Sequence, residues 1–144
     1  MPRGYLTFVL HAHLPFVRHP EYDSFLEERW LFEAITETYI PLIQLAEGLL
    51  RDGVRGALTL SISPSLLAML EDPLLQQRYR DHLAALLRLA EAEQGRLGQD
   101  GHLRWLAGTY HALFAEALAV FERHQGRLAL PLRELHQAGA LELC

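Results

Sequence analysis

Apolar positions along the chain recur first at the spacing of a strand and then at the spacing of helices. Residues 5–10 are short, rich in β-formers and apolar on both faces, which predicts a strand buried on both sides of a parallel sheet, begun at Gly4 and ended by Pro15. From Asp23 onward the period changes. Ser24 and Glu27 stand at capping-box spacing, and Leu26, Trp30, Ile35, Tyr39, Leu42, Leu45 and Leu49 follow near the helical repeat. Pro41 should kink or divide that helix.

Gly53 reads as the stop, and residues 56–63 alternate polar and apolar as a second strand before Pro64. A short helix around 66–70 follows. Asp72 and Pro73 then read as N-cap and first position of a longer helix carrying Leu75, Tyr79, Leu83, Leu86, Leu87 and Ala90, which ends near Gly95 and Gly98. A third long helix holds Leu103, Leu106, Tyr110, Leu113, Ala117 and Phe121, with Gly126 beyond it. Pro131 begins one more turn or two, Gly139 closes it, and residues 140–144 read as a third strand only just begun. Strands separated by helices are the grammar of a parallel α/β sheet or barrel. Three such strands neither close a barrel nor cover their own edges. The pattern therefore predicts a longer natural chain, with a complete three-stranded α/β protein as the alternative.

Composition narrows the function classes. With 144 residues, half of them apolar, the chain can build one core. The formal net charge of −5 supplies no basic field for a phosphate backbone, so nucleic acid is not an expected partner. No apolar stretch reaches the roughly 20 residues that cross a bilayer, and the N-terminus lacks the pattern of a secretory signal, so no membrane partner is expected. The single cysteine, Cys144, cannot pair within the chain, which favours a reducing compartment and a cytoplasmic location. All 13 basic residues are arginine and asparagine is absent, a bias compatible with a thermophilic source.

The chemistry concentrates at His11 and His13. Two residues apart at the C-terminal end of the first strand, they point to one face, at the end where functional residues of α/β barrels collect. Three readings compete: a metal site, a set of hydrogen bonds to sugar hydroxyls, or histidines that satisfy buried backbone groups. A metal needs a third ligand, and the second strand ends in Ser61 and Ser63, poor partners for zinc. Sugar binding needs only imidazole donors and acceptors lining a cleft.

The surrounding string, from His11 through Glu21, resembles the first sequence region of glycoside hydrolase family 57, nearest to its branching-enzyme subgroup. The resemblance continues through residues 28–34 and 37–42, and more loosely through 60–64 and 139–143. It implies an α/β fold in which residues 1–144 form the N-terminal portion of an incomplete seven-stranded (β/α) barrel. It implies further a 1,4-α-glucan branching enzyme that cleaves α-1,4 links with retention and passes the chain to a 6-hydroxyl. Retention takes two carboxyl groups about 5 to 5.5 Å apart. In the family these are a glutamate nucleophile and an aspartate acid/base on later strands, so both are expected beyond Cys144, and residues 1–144 alone are expected to be inactive. Glu142 precedes the region that carries them.

By the same resemblance, His11 would contact sugar in the cleavage subsite, His13 would line it, and Trp30 would present an aromatic face near the cleft. Helical spacing gives Trp30 the competing reading of a core residue. The implied partners are α-glucan and the rest of the same enzyme; no organic cofactor or metal is implied. Glu33 reads as a solvated carboxylate or as a support for a neighbouring group. Arg78, Arg80, Asp81 and Arg88 read as a solvated helix face. His102, Trp105, Tyr110 and His111 are weaker candidates on or beside a helix. The remaining functional alternatives are an α-amylase or 4-α-glucanotransferase of the same family, a metal-dependent deacetylase-like hydrolase, and a non-catalytic glucan-binding module.

Overall fold

A computed structural model describes residues 4, 6–56, 58–98 and 100–144. Three parallel strands, β1 (Phe8–Ala12), β2 (Leu58–Ile62) and β3 (Leu141–Leu143), pair in the order β1-β2-β3. Between β1 and β2 run α1 (Glu28–Ala34), a π-helical stretch (Ile35–Tyr39) and α2 (Ile40–Arg51). Between β2 and β3 run α3 (Pro64–Leu70), α4 (Pro73–Arg96), α5 (Gly101–Arg123) and α6 (Ala129–Gln137). The α/β class and the parallel sheet are those the sequence predicts.

The first strand is displaced from its predicted span. Residues 6 and 7 are coil, Tyr5 lies outside the described residues, and pairing of Phe8 through Ala12 with Leu58 through Ile62 carries the strand on to include His11. Burial on both faces is not met either. Phe8 and Val9 are more than half exposed: among the described residues β1 is an edge strand paired on one side only, and Val9 stands on the sheet face away from the helices. In β2, Ala57 lies outside the described residues, and the predicted alternation is realised: Leu58 and Leu60 are buried, while Thr59 and Ser61 are half-buried.

Helix starts follow capping chemistry where a cap exists. Asp72 Oδ1 accepts from the amides of Leu74 and Leu75, Asp100 accepts from Leu103, and Ser63 Oγ accepts from Leu66. The capping box at Ser24 does not form. Instead, amides of Glu28, Arg29 and Trp30 bond to carbonyls three residues earlier, so the helix begins at Glu28. Pro41 divides the predicted helix as anticipated, and by a specific device. The turn before it widens so that the Ile40 amide bonds to the Ile35 carbonyl, five residues back, which makes room for a proline ring that lacks an N–H.

The core lies between the helices and one face of the sheet. Tyr79 of α4 is fully buried at its centre. Its hydroxyl bonds Thr36 Oγ1 at 2.9 Å, and its ring meets Phe121 edge-on at 4.7 Å between centroids. Burial pushes the phenol well above its ordinary range. Beyond α5 the chain reverses at Gly126, φ +79°, where an added Cβ would stand 2.8 Å from Arg80 Nη2 and 3.3 Å from the Phe121 ring.

Candidate functional site: the strand ends and the loop after β1

The register decides which residues share a face. Phe8, Leu58 and Leu141 form one cross-strand row, and Leu10, Leu60 and Leu143 the next; these rows face the helices. The opposite face carries Val9, Thr59 and Glu142 in one row and His11 beside Ser61 in the next. It is polar toward the C-terminal strand ends. Thr59 donates to Glu142 at 3.3 Å, and His11 Nδ1 shares a hydrogen bond of 3.2 Å with Ser61 Oγ.

The structure brings His11 and His13 together. Their rings stack with centroids 6.0 Å apart and planes 9° from parallel, and both residues are exposed. What meets His11 from the next strand is a serine hydroxyl rather than a third imidazole or a carboxylate. Among the described residues, no three His, Cys, Asp or Glu side chains gather as a metal-ligand set. The arrangement offers one exposed imidazole pair and neighbouring hydroxyls, which is hydrogen-bonding chemistry suited to a polar, uncharged ligand.

The loop that leaves this pair is held to α3 and α4. The Val17 amide points to Met69 Sδ at 3.3 Å, and Arg18 Nε donates to Asp72 Oδ2 at 2.5 Å. Arg78 donates to the carbonyls of His19 and Tyr22 and to Glu28 Oε1. This corrects the reading of Arg78 as solvated: its side chain is 14 % exposed and that of Glu28 only 2 %. Asp81 and Arg88 are indeed exposed. Arg80 lies over the Phe121 ring, 5.3 Å from its centroid, and donates to Glu122 at 2.6 Å. The signal for Glu28 was present: a carboxylate three, four and seven residues before Leu31, Phe32 and Ile35 stands on the apolar stripe and must find a partner.

Trp30 is on α1 and half exposed, so it is not a core residue. Among the described residues, no aromatic pairing joins it to either histidine. Glu33 is exposed. Trp105 is 64 % exposed and stacks on His102 at 6.0 Å, while Tyr110 stacks on Phe114; these lie along α5, far along the chain from the strand ends. His111 reaches Glu91 at 3.3 Å.

The profile of Glycosyl hydrolase family 57 matches residues 7–144. The chain belongs to that family. A 1,4-α-glucan branching enzyme of Thermococcus kodakarensis is 33 % identical over 142 residues, covering 98 % of this chain and 20 % of its own length. Among solved structures, the α-amylase AmyC of Thermotoga maritima superposes with TM-score 0.90 at 42 % identity, over 99 % of this chain and 27 % of that one. The GH57-type branching enzyme of the hyperthermophilic archaeon Pyrococcus horikoshii gives 0.88 at 34 % identity, over 97 % and 26 %. This family 57 chain thus spans about a fifth of the length of that curated relative. Its three parallel strands and intervening helices match the first part of the family's (β/α) barrel. No helix among the described residues is long and apolar enough to cross a membrane.

Proposed function

We propose that this chain is the N-terminal portion of the catalytic barrel of an α-glucan-processing enzyme, whose reaction is transfer of an α-1,4-linked chain to a 6-hydroxyl. The observation that carries the reading is the polar strand-end face, with His11 bonded to Ser61 and stacked on His13, in a chain whose residues 7–144 match family 57. In this reading His11 and His13 bind the sugar at the cleavage subsite, and the half-exposed Trp30 adds an apolar face for pyranose C–H groups. Retention requires a nucleophilic carboxylate and an acid/base carboxylate, which we place outside residues 1–144. No cofactor enters the chemistry.

Hydrolysis of the same bond by an α-amylase is the second reading, favoured by the 42 % identity to a protein described as an α-amylase. One assay separates them. Amylose incubated with an enzyme containing this chain should lose iodine colour and gain α-1,6 proton resonances without a matching rise in reducing ends. Reducing ends rising in step with colour loss would replace branching with hydrolysis. Activity that depends on a stoichiometric zinc would overturn both in favour of the deacetylase-like alternative.

A further inference from the structure

A second recess lies away from the strand ends, between α1 with its leading segment and the second and third turns of α4; its volume is about 250 Å³. Helical spacing builds its walls. Phe25, Arg29 and Phe32 follow at three- and four-residue intervals on one side, and Asp81 and His82 stand one turn after Arg78 on the other. The ion pair of Arg78 with the buried Glu28 forms part of its lining, so the charge there is already neutralised. At about 250 Å³ the recess is an open hollow rather than an enclosed cavity. That volume is the scale of one pyranose ring and below the roughly 300 Å³ at which sites for drug-sized ligands begin.

The lining is mixed in a way that limits the ligand. Phe25, Phe32 and His82 supply ring surface, with the Phe32 and His82 centroids 5.2 Å apart. Asp23, Arg29 and Asp81 supply charged hydrogen-bonding groups. Among the described residues, the side chains of Asp23, Arg29 and His82 form no hydrogen bond within the chain, and Asp81 accepts one, from Gln77 at 3.1 Å. Burial, then the nearby Arg29 cation, hold His82 below the ordinary imidazole range. Its ring therefore offers one donor and one acceptor near neutral pH.

An anion is opposed here by Asp23 and Asp81, and a cation by Arg29. A wholly apolar ligand would strip water from all three without replacing it. A neutral ring with an apolar face and hydroxyls at its rim satisfies both kinds of surface. The geometry points to a second sugar-binding site in this recess, holding one α-glucosyl unit apart from the strand-end subsite. The choice of glucose among neutral sugars rests on the α-glucan reading above.

The test is a titration of an enzyme containing this chain, isotope-labelled, with maltose, followed by amide resonances, with sorbitol as an open-chain polyol control. Saturable shifts at Phe25, Arg29 and His82 in the millimolar range, absent with sorbitol, are expected. Asp81→Asn and Arg29→Ala alter exposed side chains, so a wild-type-like spectrum should accompany about tenfold weaker binding in each, the loss of one charged hydrogen bond. Shifts confined to His11, His13 and Ser61 would overturn this site while supporting the strand-end subsite. Shifts at neither place, equal shifts with sorbitol, or unchanged affinity in both variants would overturn the recess as a sugar site, while the strand-end reading is judged separately by the amylose assay.

Discussion

Replacing Arg78 by alanine should be among the most damaging single substitutions on the helix surface, although the sequence pattern assigns it to solvent. Its guanidinium serves three acceptors, the carbonyls of His19 and Tyr22 and the carboxylate of Glu28. The Glu28 side chain is 2 % exposed, so removing the arginine leaves a carboxylate in the protein interior without its cation. Breaking one side of a buried pair costs roughly 3 to 5 kcal/mol. Because Arg78 itself is 14 % exposed and water can follow it out, the lower end applies, about 3 kcal/mol. For a chain of this size that is a fall in melting temperature on the order of 10 °C. Arg88→Ala on the same helix is exposed and should change stability by no more than about 0.5 kcal/mol. Urea and thermal unfolding followed by circular dichroism measure both, and Arg78→Met with Glu28→Gln tests the cause. If the charge left unpaired dominates, the double variant should recover part of the loss. Equal effects of Arg78→Ala and Arg88→Ala would refute the argument.

Asp72→Asn keeps an oxygen for the amides of Leu74 and Leu75 but weakens the pairing with Arg18; proteolysis should quicken in the loop after β1 while helix content holds, and loss of helical signal would refute that division. Gly126→Ala meets both a positive φ and a 2.8 Å approach to Arg80, so unfolding experiments should show a loss of about 1 to 3 kcal/mol, and an unchanged midpoint would show that the turn relaxes freely. His11→Ala in an enzyme containing this chain should lower kcat/KM on amylose by the equivalent of about 2 to 4 kcal/mol while the melting temperature stays within error, because the residue is exposed and packs little; normal turnover would make it structural. Burial, then a neighbouring arginine, lower both His82 and His124 relative to ordinary imidazole. The unfolded chain then takes up protons first, so urea stability should be full above roughly pH 6.5 and fall as pH drops through that value toward the folded ones; His82→Gln with His124→Gln should flatten the slope, and an unchanged slope would refute the assignment.

The second strand was legible because its two faces differ in kind: Leu58 and Leu60 against Thr59 and Ser61 announce both the strand and its orientation. The first was legible only in existence. Its β-forming residues begin at Tyr5, but pairing with β2 sets the span from Phe8 to Ala12, and propensity carries no information about that register. Asp72 before Pro73 announced a helix start that the structure keeps, whereas Ser24 before Glu27 announced one that three backbone bonds displace to Glu28. At the site, the spacing of His11 and His13 was enough to place them on one side of the strand end. That Ser61 meets His11 required the register, which joins residues 50 positions apart.

The loop after β1 shows why the rest was hidden. Its anchors are a methionine sulfur, an aspartate that already caps a helix, and an arginine on what reads as a water-facing stripe. Each residue has an ordinary local explanation, so local patterns give no reason to look further. Asp72 is the clearest case: Oδ1 accepts the first amides of α4 while Oδ2 receives Arg18 from 54 residues earlier. A carboxylate has acceptor positions to spare after capping, and the fold uses the second oxygen to hold the chain that leaves the histidine pair. The same economy holds at Arg78, whose planar fork of donors reaches two carbonyls and a carboxylate at once, where a lysine would offer a single point of charge. The direction in which β1 delivers His13 into the loop is therefore coupled to the first two turns of α4, elements with no residue in the strand-end face. Strand ends present the imidazoles, and a helix outside the sheet holds the segment that carries the chain away from them.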